Sequence, residues 1–264
     1  MQDLEILYIQ TNLIWENPTE NRTRFEQLIK QQERKFDLVV LPETFTTGFP
    51  VDPKPFAETI NGETIQWMKR LSATTGAVIT GSFLLKEKEK YFNSLIWMRP
   101  DGTFERYDKR HVFSMGGEHH RITPGNQPLL TTLKGWKIKP MICYDLRFPV
   151  WSKNRYHQNT FEYDLAIYTA NWPAVRSYPW DILLKARAIE NQAYVLGVNR
   201  VGTDGPGNSY SGHSKVVDAK GNILSEAPDN LEAVMHATLS AEALLSFRKK
   251  FNVGPDWDTF EIKK

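Results

Sequence analysis

The chain has 264 residues and one cysteine, Cys143, which lies in the stretch "KGWKIKPMICYDLRFPVW". There a strand-like alternation (Trp136, Ile138, Met141, Ile142) gives way to a turn, and Phe148-Pro149 reads as the opening of a helix. A free thiol is only about 3% thiolate at neutral pH, so a working nucleophile needs a base, a cation or a helix N-terminus beside it. Two residues at similar junctions could help: Glu43 follows "FDLVVLP" and Lys109 follows "TFERYD". Taken singly, each has a plainer reading. A buried free cysteine is usually a small hydrophobe, Glu43 could cap a helix, and Lys109 could be a solvated charge in "DKRH".

Whether the three meet depends on the elements that carry them. Residues 4 to 10 alternate as a strand, and Asn17-Pro18 opens a helical segment to about Lys35. "FDLVVLP" is a short continuous apolar run, the mark of a strand buried on both faces. A helix follows from Gly62 to about Ser72, then strands "GAVITGSFLL", "YFNSLIWMRP" and "TFERYDK", the last two joined by Asp101-Gly102. The second half repeats this order: a strand at 135–142, a helix near 148–158, "YDLAIYTA", a helix at 179–192 and "AYVLGVNR". It closes with strands "SGHSKVVDA" and "NILSEA" joined across Lys220-Gly221-Asn222, then "AVMHATL" and a helix from Ser240 to Lys249. Strands alternating with helices predict largely parallel central strands in two helix-flanked sheets, where ligands gather outside the carboxyl ends. Glu43, Lys109 and Cys143 all fall at such ends.

Composition narrows the function. Lys and Arg (33) nearly balance Asp and Glu (31), and no long block of like charge occurs, which argues against a nucleic-acid binder. No apolar run reaches the roughly 18 residues of a membrane span. The acidic start "MQDLEILYIQ" does not read as a signal peptide, so a cytoplasmic location is expected. One cysteine excludes an internal disulfide and a multi-thiolate zinc site. Glycines 202, 205 and 207 lack a phosphate-binding pattern, so no cofactor is expected, and "SGHSKVV" lacks the G-x-S-x-G elbow of a serine hydrolase.

The segments "LPETF" around Glu43, "YDKRHVF" around Lys109 and "ICYDLRFP" around Cys143 resemble the nitrilase superfamily of carbon-nitrogen hydrolases. "KARAIENQAYVLGVNRVG" and "SGHSKVVDAKGNIL" extend the likeness from the first strand to about Leu239. "CYDLRFP" with "DKRHVF" is similar to the omega-amidase branch, which acts on the terminal amide of 2-oxo acids. The resemblance implies a four-layer α-β-β-α sandwich, two mixed sheets flanked by helices, with residues 1–240 forming one hydrolase domain. It also implies a homodimer, with the helix and tail at 241–264 ("FNVGPDWDTFEI") at the interface.

For the site, the resemblance implies Cys143 as nucleophile, Glu43 as base and acid in turn, and Lys109 with the backbone N–H of Tyr144 as oxyanion donors. Glu118 matches a second glutamate of the family and would orient Lys109. Its neighbours His119, His120 and His111 raise a metal cluster as a rival reading. Adjacent histidines diverge, however, and no HExxH spacing exists, so no metal is expected. A 2-oxo acid carries a carboxylate, for which a guanidinium is the natural partner. Arg176 in "NWPAVRSYPW" is the candidate clamp; Arg147 is the rival, expected instead to form a structural ion pair under the nucleophile turn. Phe113, Trp172 and Tyr144 are candidate pocket walls. Animal-type omega-amidases carry glycine and phenylalanine near Asn171 and Trp172, which leaves the exact substrate open, bulkier keto acid amides included. Other hydrolases of the same chemistry (nitrilase, carbamoylase, aliphatic amidase) remain as alternatives. A non-catalytic binding protein would be favoured by a missing triad residue, and none is missing.

Overall fold

Leu4, Ile6 and Tyr8 point to one side of the first strand, β1 (Leu4–Gln10), and Leu7 and Ile9 to the other; all five are buried. The first set joins a core drawn from two sheets, with Leu38, Val40, Trp136, Ile138, Leu165, Ile167, Leu196 and Val198. The second set packs with Phe25, Ile29, Met68 and Leu71 of flanking helices. A strand with apolar residues on both faces therefore lies between a sheet and a helical layer. Across the molecule the same logic seats Ala166, Tyr168 and Val195 against Trp180, Leu184 and Ala188. The result is helix, sheet, sheet, helix, as the resemblance implied.

The computed structural model describes residues 1–50 and 52–263. The first half contains β1, α1 (Pro18–Lys30), β2 (Leu38–Val40), α2 (Glu63–Thr75), β3 (Val78–Glu87), β4 (Lys90–Met98) and β5 (Phe104–Asp108). The second contains β6 (Thr131–Leu133), β7 (Trp136–Ile142), α3 (Pro149–Ser152), β8 (Tyr156–His157), β9 (Thr160–Phe161), β10 (Leu165–Ala170), α4 (Ser177–Asn191) and β11 (Tyr194–Asn199). It continues with β12 (Val201–Thr203), β13 (Ser209–Ser211), β14 (Lys215–Val217), β15 (Ile223–Glu226), β16 (Ala233–Leu239) and α5 (Ala241–Lys250). The sheets run β16-β1-β2-β3-β4-β5 and β15-β14-β11-β10-β7-β6. In each, three parallel strands (β1, β2, β3 and β7, β10, β11) are flanked by antiparallel ones.

Local chemistry sets the boundaries. The Asn17 side chain accepts the Glu20 N–H at 3.2 Å, with Pro18 at the first helical position, and α1 ends at Lys30, short of Lys35. The helix expected near 148–158 is only the four residues of α3. Buried Asn154 ends it, donating from Nδ2 to Tyr163 O at 2.9 Å and to Asn191 O at 3.1 Å. Gln158 and Asn159, both at positive φ (48° and 61°), then turn the β8–β9 hairpin. In the tail, the Trp257 ring meets Phe161 at 5.5 Å and carries the Lys153 ammonium at 3.7 Å, while Arg155 covers Phe260. These tail aromatics pack on their own chain, and Phe251 is exposed. No helix among the described residues is long and apolar enough to cross a membrane.

Candidate active site

β2 is parallel to β1 and β3, and β5 regains that direction after two antiparallel steps, so β2 and β5 end on the same side of their sheet. Glu43 lies three residues past β2, and Lys109 directly follows β5. In the facing sheet Cys143 directly follows β7, and Asn171 directly follows β10. The carboxyl ends of both sheets converge there, because the Asn171 N–H donates to Glu43 Oε2 at 2.8 Å across the gap.

Glu43 accepts from the Lys109 ammonium (2.8 Å) and the Asn93 amide (2.8 Å) on Oε1. Lys109 also reaches both oxygens of Glu118, at 3.0 and 3.3 Å. A close backbone fit holds the lysine: its N–H donates to Asn93 O, its carbonyl accepts from Gly125 N–H, and a Cβ at Gly125 would lie 2.1 Å from the Asp108 carbonyl. Glu118 is held by the Phe113 N–H. Glu43, Lys109, Glu118 and Cys143 are all more than nine-tenths buried.

That enclosure governs protonation. Burial alone would depress the Lys109 ammonium, but the charges of Glu118 and Glu43 overcome it and hold it above the usual lysine range. Burial raises the Glu118 carboxyl, with Lys109 opposing and Glu43 adding to the rise. Burial also pushes the Cys143 thiol well up, and the charge of Glu43 adds to this against Lys109. Both effects favour the neutral thiol of Cys143 over the thiolate.

The turn carrying Cys143 is strained and braced. Cys143 sits at φ 44°, a left-handed conformation costing a non-glycine residue roughly 1–2 kcal/mol, and this projects it from the strand end. Below it, fully buried Asp145 accepts from the Ile142 N–H (3.0 Å) and Tyr107 hydroxyl (2.6 Å), and from the backbone and Nδ1 of His111 (3.0 and 2.8 Å). Tyr107 and His111 bracket Lys109, so one carboxylate ties the lysine segment of one sheet to the cysteine turn of the other. The His111 ring also stacks on Phe148 with centroids 3.7 Å apart. His111 is therefore engaged by Asp145, while His119 and His120 are exposed.

The other sequence candidates gather beside the Cys143 turn. Phe113 packs edge-on against Tyr144 (5.1 Å), and Trp172 Nε1–H donates to the Arg176 carbonyl at 2.7 Å. The Arg176 guanidinium lies over Phe113 (5.5 Å) and that of Arg147 over Trp172 (4.8 Å). The ion pair expected of Arg147 is not formed. Asp145 faces inward to Tyr107 and His111, the carbonyl beneath the turn (Leu146 O) is taken by Arg187 at 2.7 and 3.1 Å, and Arg147 is left facing Trp172. Among the described residues, neither Arg147 nor Arg176 pairs with a carboxylate.

Sequence reasoning missed Asn93, Asp145 and His111 as supports. Asn93 could have been found: an asparagine inside "YFNSLIW" is a polar residue in a largely apolar strand.

Comparison with known proteins agrees with this geometry. Residues 8–249 match the carbon-nitrogen hydrolase family. The chain is 44% identical over 262 residues to omega-amidase YafV of Yersinia enterocolitica, covering 98% of this chain and 99% of that one. It is 29% identical to 2-oxoglutaramate amidase of Bacillus subtilis, covering 94% and 95%. Its fold is similar to the crystal structure of XC1258 from Xanthomonas campestris, a CN-hydrolase superfamily protein with an arsenic adduct in its active site, at TM-score 0.97 and 42% identity over the whole of both chains. The chain belongs to the carbon-nitrogen hydrolase family.

Proposed function

We propose that this chain is an omega-amidase, hydrolysing the terminal carboxamide of a small 2-oxo acid, such as 2-oxoglutaramate or 2-oxosuccinamate, to the acid and ammonia. The names of its relatives support the reading. The observation that carries it is the pair of half-buried guanidiniums beside the Cys143 turn, Arg147 and Arg176, lying on aromatic rings without carboxylates of their own. A bound carboxylate would complete them, with Arg176 as the clamp and Phe113, Trp172 and Tyr144 as walls.

Glu43 takes the thiol proton as Sγ attacks the amide carbon, which avoids forming a free buried thiolate. The oxyanion is held by Lys109 and by the backbone N–H of Tyr144, an early position of the short helical turn where N–H groups lack helical partners. As the intermediate collapses, the C–N bond breaks and Glu43 returns the proton to departing ammonia, leaving a thioester. Glu43 then activates water, which releases the acid and restores the thiol. Glu118 keeps Lys109 aimed between the base and the nucleophile.

The assembly proposed is a cytoplasmic homodimer. Tyr178, Ile182 and Ile189 form an exposed apolar stripe along α4 suited to a second copy, with Phe251 in the C-terminal segment also exposed.

The test is ammonia release from 2-oxoglutaramate, 2-oxosuccinamate, glutamine, a simple nitrile and a carbamoyl compound, comparing the native chain with Cys143→Ala. Release is expected from the two keto acid amides, with a loss of at least about 10³-fold in the variant. Preferred turnover of the nitrile or carbamoyl compound would replace this reading with another hydrolase of the same chemistry.

A further inference from the structure

The carboxamide of Asn171 has no part in the mechanism above, yet it lies against the base. Its Nδ2 donates to the Glu43 carbonyl at 2.7 Å and to Thr44 Oγ1 at 2.7 Å. Its backbone N–H meets Glu43 Oε2 at 2.8 Å, and its carbonyl faces Cys143 Sγ at 3.9 Å. One residue thus grips the base at its carboxylate and at its backbone, and also touches the thiol. Thr44 needs such a grip: at φ 40° it is a β-branched residue in the left-handed region, so the turn carrying Glu43 is itself strained.

Asn171 is in turn anchored. The next residue, Trp172, donates its N–H to Asn199 Oδ1 at 2.8 Å, and its carbonyl accepts from Asn199 Nδ2 at 3.0 Å. Asn199 Nδ2 also binds the Gly212 carbonyl at 2.8 Å, and the Asn199 N–H donates to Ser214 Oγ at 2.9 Å. The Ser214 N–H continues to Gln10 at the end of β1. A chain of hydrogen bonds therefore runs from the ends of both sheets to the backbone of the base. Such a chain fixes a group that must serve two proton transfers from one place.

We propose that Asn171 is a positioning residue for the hydrolysis, its side chain setting where the Glu43 carboxylate stands relative to the Cys143 thiol and the attacking water. The inference rests on the Glu43–Cys143 chemistry above. It concerns the carboxamide alone, because the backbone N–H to Oε2 survives any substitution except proline.

The experiment measures kcat and KM for 2-oxoglutaramate on active sites titrated with a thiol-directed electrophile, so that misfolded molecules are not counted. Asn171→Ala is expected to lower kcat roughly 10- to 30-fold with KM changed less than about twofold. Thr44→Val, which keeps the shape and removes one acceptor, is expected to lower kcat roughly two- to fivefold in the same way. In a Glu43→Asp background, where the carboxylate is already withdrawn, Asn171→Ala should cost less than about threefold more. An unchanged kcat in Asn171→Ala, a loss confined to KM, or full additivity with Glu43→Asp would each overturn the proposal. If Glu43→Asp itself leaves kcat unchanged, the role of Glu43 fails and the inference falls with it.

Discussion

Two buried ion clusters in this fold are built to opposite rules. Arg248 pairs with Asp164, donates from Nε to Gln192 O at 2.8 Å and from Nη2 to Tyr163 O at 2.9 Å, and lies 3.9 Å over the Phe161 ring. The other Asp164 oxygen accepts the Lys137 N–H at 2.9 Å. One cation meets one anion, and the polar groups around them are matched. At the strand ends, by contrast, one ammonium serves two carboxylates, and burial raises both Glu118 and Cys143, with Glu43 adding to the rise and Lys109 opposing it. The structural pair matches one cation to one anion, whereas the cluster around Lys109 sets two carboxyl groups against one ammonium.

Substitutions can break that contrast in graded steps. The largest effect is expected from Glu43→Gln, which keeps the shape and removes the base: single-turnover acylation should fall about 10⁴-fold, read as thioester formed per titrated Cys143. Glu118→Gln leaves a carboxamide oxygen for Lys109 but removes one charge, so kcat should fall roughly 10- to 100-fold with the nucleophile still alkylated to completion. Asp164→Asn should do the reverse. It uncouples a buried arginine and should lower unfolding free energy by about 3 kcal/mol in urea titrations, while kcat per titrated site stays within twofold. A loss of activity in Asp164→Asn larger than in Glu118→Gln would erase the distinction between the clusters.

The same contrast bears on what the sequence could reveal. The strands at 4–10, 38–40 and 136–142 were legible because their apolar runs and alternation register directly in residue types. Strand-end placement made Glu43, Lys109 and Cys143 candidates, and the resemblance of the segments around them selected all three together. Two supports were hidden because Asp145 and Asn171 act through partners 34 to 128 residues away, and nothing local marks those bonds. The helix near 148–158 was overestimated for a related reason, since the residue that stops it, Asn154, is drawn in by Asn191 and Tyr163. Arg147 was misread because its motif position fixes the backbone turn and leaves the direction of the side chain to its neighbours.

The site takes Glu43 and Lys109 from one sheet and Cys143 and Asn171 from the other, and the Asp145 and Asn171 bonds cross between them. It is therefore not a local patch that can loosen while the domain stays intact. Any opening that separates the sheets dismantles the constellation at once, so catalytic competence and the folded state of the whole domain are one cooperative property.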